Sequence, residues 1–73
     1  MDSYSEPATI WRLRNADGDR VRATLIPGAP TSTLCVFVND RLERGENFRE
    51  WEPALARAAE LREVLLADGW TDD

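Results

Sequence analysis

Ser32-Thr33-Leu34-Cys35-Val36-Phe37-Val38 carries the strongest strand signal in the chain, because the residues from Leu34 to Val38 are apolar without a break. A short run of this kind suits a strand buried on both faces, and so an interior place in a sheet. The run is bounded on both sides. Before it, Pro27-Gly28-Ala29-Pro30 breaks the chain into a loop; after it, Asn39-Asp40 is a tight-turn dipeptide.

Upstream, two segments alternate with period two, which argues for strands. From Ala8 to Arg14, Thr9, Trp11 and Leu13 fall on one side and Ile10, Arg12 and Arg14 on the other. From Asp19 to Ile26, Val21, Ala23 and Leu25 stand against Arg20, Arg22, Thr24 and Ile26. Asn15-Ala16-Asp17-Gly18 joins them with turn chemistry, Gly18 being free to take positive φ. A two-residue loop, Asp17-Gly18, sets Leu13 opposite Arg22 and mixes the faces. A three-residue loop, Asp17 to Asp19, sets Leu13 opposite Ala23, Trp11 opposite Leu25 and Arg14 opposite Arg22. It keeps each face uniform, so this register is preferred.

Downstream, Arg41 to Arg44 reads as a short return strand closed by Gly45, and its charged pattern suits a sheet edge. Asn47-Phe48-Arg49-Glu50 has the form of a capping box. Pro53 lies too deep for that cap to open an unbroken helix. The reading is therefore one turn from Asn47 to Trp51, then the main helix with Pro53 as its first residue. Ala54, Leu55, Ala58, Leu61 and Leu65 form a stripe at three and four spacing, with Arg57, Glu60 and Glu63 opposite. Gly69 sits where a left-handed cap is needed, and Trp70 is placed to fold back on Leu65.

The fold class that follows is α+β: an antiparallel three- to four-stranded meander, then one C-terminal helix packed on one sheet face, ββββα. Trp11, Leu13, Val21, Ala23, Leu25, Leu34, Val36 and Val38 should meet the helix, with Trp51 and Trp70 bracketing its ends and the three Trp acting as core anchors. Residues 8–70 form a single domain. Segment 1–7 reads as a flexible acidic tail bounded by Pro7, and 71–73 as a flexible acidic end.

The composition removes many chemistries. Among 73 residues there is no His, one Cys, and nine basic residues that are all Arg. Without His, neither a Ser-His-Asp nor a Cys-His pair forms within one chain. Without Lys, Schiff-base chemistry and a Walker-type phosphate loop are absent. One Cys makes neither an internal disulfide nor a thiolate zinc site. A paired-carboxylate hydrolase needs a deep cleft to shift one pKa, which so short a chain rarely encloses. The expectation is a protein without catalysis, without cofactor and without metal. Cys35, in its apolar strand, reads as a small buried hydrophobe. Glu43, Glu46, Glu50 and Glu52 lack the alternating oxygen-ligand pattern of a calcium loop, and electrostatics at the helix start accounts for Glu50 and Glu52.

The net charge is -5, but it sits at the ends. With Asp2, Glu6, Asp68, Asp72 and Asp73 set aside, the body carries nine acids against nine Arg. The polar, acidic N-terminus is no signal peptide, and no apolar run approaches the ~20 residues needed to span a membrane. The lack of a disulfide framework points to the cytoplasm.

One helix covers only one face of a sheet. By alternation, the other face carries Ile10, Arg12, Arg14, Arg20, Arg22, Ile26, Cys35 and Phe37. Like charges opposite each other repel unless an anion intervenes, and exposed apolar area costs about 25 cal/mol per Å². Three readings follow. The face is solvated, with Arg stems over the apolar groups and heads paired to Glu43, Glu46 or the acidic tail. Or it is a self-association or protein-partner surface that completes a meagre core. Or Phe37 stacks on bases while Arg contacts phosphates, an option disfavoured by the net charge. The leading expectation is a small interaction module, a homo-oligomer or a binder of a protein partner, that works through Arg12, Arg14, Arg20, Arg22 and Phe37. The alternative is a nucleic-acid or acidic-ligand binder that uses the same residues.

Overall fold

The computed structural model describes residues 6–73; most of the acidic N-terminal segment read from the sequence, residues 1–5, lies outside the described residues. Strands β1 (Ala8–Arg14), β2 (Arg20–Ile26), β3 (Ser32–Val38) and β4 (Arg41–Phe48) precede helix α1 (Trp51–Ala67), and a two-residue strand β5 (Thr71–Asp72) ends the chain. All pairings are antiparallel in one sheet of order β4-β3-β2-β1-β5. The meander followed by a helix is the ββββα arrangement expected from the sequence, with β5 added. The apolar run of β3 is interior, as its composition requires.

The covered face is made of the residues that alternation assigned to it. Leu13 and Leu34 are fully buried, and Trp11, Val21, Ala23 and Leu25 join Ala54 and Ala58 of α1 in one cluster. Alanines on both sides let the helix approach closely. The Trp11 Nε1–H reaches across that contact and donates to the Ala58 carbonyl at 2.8 Å, so the indole is buried without an unsatisfied donor. Val36, Val38, Phe48, Leu61, Leu65, Leu66 and Trp70 pack around the cluster.

Several local expectations are corrected. The β1–β2 loop has five residues, so Leu13 faces Val21, Trp11 faces Ala23, Arg12 faces Arg22 and Arg14 faces Arg20. The cause is Asn15, whose Oδ1 accepts the N–H groups of Asp17 and Asp19 at 3.0 and 2.9 Å. Its backbone N–H also donates to the Asp19 carbonyl. Gly18, at φ 88, closes the loop. The register moves by two residues, which preserves the faces. A bulge between Thr9 and Trp11 turns Ile10 toward the core, away from the second face where alternation had placed it.

Strand β4 runs past Gly45 to Phe48, because Gly45 pairs with Cys35 and Asn47 with Thr33 rather than ending the ladder. Asn47 is engaged across the sheet, its Oδ1 accepting from Thr33 Oγ1, and caps nothing. The N-cap is Glu50, in extended conformation and with no side-chain cap bond. Pro53 is thus the third helical residue, where its missing N–H has no intrahelical acceptor to lose.

Leu55 is exposed, whereas Leu66, outside the stripe read from the sequence, packs on the cluster. Trp51 is 53% exposed and donates to Ser32 Oγ, so it is no core anchor. The helix end is as read. Gly69 at φ 100 donates to the Leu66 carbonyl, and Trp70 N–H donates to the Leu65 carbonyl, the paired bonds of a Schellman cap. That turn delivers residues 71–73 to the sheet. Thr71 pairs with Arg14, Asp72 with Leu13, and Asp73 N–H donates to the Arg12 carbonyl, so the end read as free is held.

Candidate functional site

Among the described residues, one helix packs on the sheet and no strand or helix covers the opposite face. The cross-strand register sets out that face in rows. One row runs Arg12, Arg22, Phe37, Leu42 from β1 to β4. Beyond it Arg14 faces Arg20. On the other side lie Thr24, Cys35 and Gly45, then Ile26, Thr33 and Asn47. Thr24 and Cys35 are buried, whereas Arg12, Arg14 and Arg20 are exposed. All five residues singled out from the sequence therefore share one surface, with two directly opposed arginine pairs rather than the single Arg14–Arg22 pair expected.

The charges are partly answered from within. The Arg22 guanidinium lies over the Phe37 ring, 4.2 Å from its centroid, and its Nη1 donates to Asp40. The positive φ of Asn39 and Asp40 forms the tight β3–β4 turn, which places that carboxylate beside β2. Asn39 clamps the turn. Its Oδ1 accepts from Arg20 N–H at 2.9 Å, its Nδ2 donates to Asp19, and its N–H donates to the Arg20 carbonyl. Hydrogen bonds from Asn39, then Asn15, hold the Asp19 carboxyl below the usual Asp range. Arg20 lies 3.8 Å from Asp73. Arg12 and Arg14 have no ion-pair partner among the described residues.

These residues border an open cleft of about 410 Å³, lined by Arg12, Arg20, Val21, Arg22, Phe37, Asn39, Asp40 and Asp73. Alternation found the arginines and Phe37. It missed Leu42, 59% exposed beside Phe37, and the carboxylates of Asp40 and Asp73. Asp40 was within reach of sequence reasoning, since the turn following β3 returns next to the start of β2. Asp73 was not, because it depends on β5.

Glu43 and Glu46 are not the counter-ions of this face. Glu46 lies on the helix side, opposite Leu34, and takes Arg57 of α1 at 3.2 Å and Arg44 at 3.8 Å. Glu46, then Glu60, holds the Arg57 guanidinium above its usual pKa. Among the described residues no three acidic or thiol side chains converge, and no helix is long and apolar enough to cross a membrane. Compared with protein-family models, with curated proteins and with solved structures, the chain matches none.

Proposed function

We propose that this chain is a small non-catalytic interaction module of the cytoplasm whose open sheet face takes an acidic protein surface. The observation that supports it is the pair of opposed arginine rungs, Arg12–Arg22 and Arg14–Arg20, on a face that no described element covers. Like charges placed directly opposite destabilise a sheet by themselves. Internal carboxylates answer Arg22 and Arg20, which leaves Arg12 and Arg14 to an outside anion. Symmetric stacking of two copies through this face brings the same arginines together, so charge complementarity favours an unlike, acidic partner over face-to-face self-association. The cleft carboxylates serve as arginine counter-ions, which supports a role without catalysis. A free Cys35 and no disulfide suit a reducing compartment.

Nucleic acid is the competing occupant. One ring face of Phe37 already carries Arg22, so the ring is a poor platform for stacked bases. Fluorescence anisotropy separates the two at low salt, with poly-L-glutamate and oligo(dT) as labelled probes. Polyglutamate should bind, weaken as salt is added, and lose binding with Arg12→Glu/Arg14→Glu. Tighter binding of oligo(dT) turns the reading to nucleic acid. No binding of either, together with a strict monomer in sedimentation equilibrium, defeats the interaction reading.

A further inference from the structure

We propose that the cleft at the Arg12–Arg22 rung is a carboxylate site, selective for a ligand that carries a single carboxylate beside an aromatic or apolar group. This deepens the reading of the open face as a recognition surface and rests on it. The charge count sets the ligand's charge. Counted over side chains, Arg12, Arg20 and Arg22 line the cleft with Asp40 and Asp73, an excess of one positive charge. Arg22 is fixed by Phe37 on its face and by Asp40 at its Nη1, and Arg20 faces Asp73. The unanswered fork is that of Arg12, whose neighbour on β2 is Arg22 and whose own carbonyl accepts Asp73 N–H. A planar guanidinium with two parallel donors matches a carboxylate in bidentate geometry.

Two flanking carboxylates repel any second negative charge. The site therefore favours a monoanion over a phosphate dianion, although both would meet the same arginines. Asn39 forms wall rather than ligand contact, since both ends of its amide are already committed to Arg20 and Asp19. With Phe37 taken up by Arg22, the exposed Leu42 opposite it supplies an apolar shelf beside the charges. That shelf is where the ligand's own ring or aliphatic group lies. The carboxylate can belong to a free acid or chain terminus, or to an acidic side chain, and the probes tell these sources apart.

The experiment is an NMR titration of the full chain that follows the Nε–Hε signals of Arg12, Arg20 and Arg22. The probes are N-acetylphenylalanine, its neutral amide, acetyl-Glu-Phe-amide and phenyl phosphate. N-acetylphenylalanine should give saturable shifts of these signals, the amide none, and phenyl phosphate a weaker response. Binding of acetyl-Glu-Phe-amide as well assigns the site to acidic side chains of a protein. Binding of the free acid alone assigns it to a terminal carboxylate. Arg12→Gln, a change at an exposed position, should weaken binding roughly tenfold or more through loss of the charge-assisted fork. Arg49→Gln, outside the cleft, should leave it unchanged. Equal response to acid and amide, tighter binding of phenyl phosphate, or indifference to Arg12→Gln overturns the site. Silence of both carboxylates while polyglutamate still binds removes the cleft and leaves the wider face reading in place. Silence of all of them removes both.

Discussion

The same strands build both faces of the sheet, and the faces are held by different physics. The covered face is uniform. Leu13, Ala23 and Leu34 are closed to solvent against Ala54 and Ala58, and its buried polar groups are satisfied, the Trp11 indole by a helix carbonyl and Ser32 by the Trp51 indole. The open face is mixed. Arginine rungs, a ring, two buried small residues and two turn or edge carboxylates share it. Burial rewards area on the first face, whose charged groups, Arg44, Glu46 and Arg57, sit at the β4 edge and pair with one another. On the second, each favourable contact offsets a like-charge opposition, so its net worth to folding is small and its residues are free to serve binding.

The largest effect should follow from breaking the covered face. Leu34 is fully buried in an interior strand, and Leu34→Ala should cost about 2–5 kcal/mol through lost transfer energy and the cavity left behind. Leu61→Ala should cost less, since Leu61 packs on the cluster only in part. Urea denaturation of both variants measures the two. A Leu61 change equal to or above the Leu34 change contradicts the ordering of burial between the sheet interior and the helix.

Next in size is the cap that joins the helix to β5. Gly69 stands at φ +100 with open space where a side chain would lie, so Gly69→Ala meets strain rather than a clash. The expected loss is about 1 kcal/mol, measured by thermal melting. Because the turn delivers Asp73 to the open face, amide exchange at Arg12 and Asp73 should quicken as well, which ties the two faces through one residue.

Alternation made the faces legible, because period two survives any even shift of register. The Asn15 loop moved the β1–β2 pairing by two residues, and every side assignment from Trp11 onward still held, whereas upstream of the bulge Thr9 moves to the second face opposite Thr24. What stayed hidden depends on single side chains or on distant partners. The bulge at Ile10 has no sequence mark of its own. The full length of β4 was obscured because its charged residues, Glu46 and Arg44, face the helix side and are neutralised there by each other and by Arg57, a pairing that alternation along one strand cannot show. Trp51 looked like a core anchor by type, yet a helix that starts at residue 51 rather than 53 carries it to the rim. Of the candidate site, the basic half was readable. The acidic half came from a turn and from a chain end that only the fold brings near.

The open face should respond far less to a comparable change. Arg22→Gln removes the stacking on Phe37, worth about 0.5–1 kcal/mol at a partly exposed site, and an ion pair to an exposed Asp40. It also relieves the opposition with Arg12. The net change should stay below about 1 kcal/mol in urea denaturation, while cleft binding is lost. A loss as large as that of Leu34→Ala would place this face inside the core and end the contrast.

The smallest effect belongs to the seam where the two turns meet. Asp19 accepts from Asn39 and Asn15, and these bonds depress its folded pKa below the ordinary Asp value of about 3.9. A depressed carboxyl contributes stability that is fully present above its unfolded pKa and is lost as the pH falls through the folded one. The wild-type chain should therefore lose stability on acidification below about pH 4, and Asp19→Asn, which cannot titrate there, should show a shallower acid limb. Denaturation series from neutral to acid pH compare the slopes. Identical acid limbs would show that the two amides fix the turn's shape without favouring the ionised carboxylate, and that the seam, unlike the arginine face, is insensitive to charge.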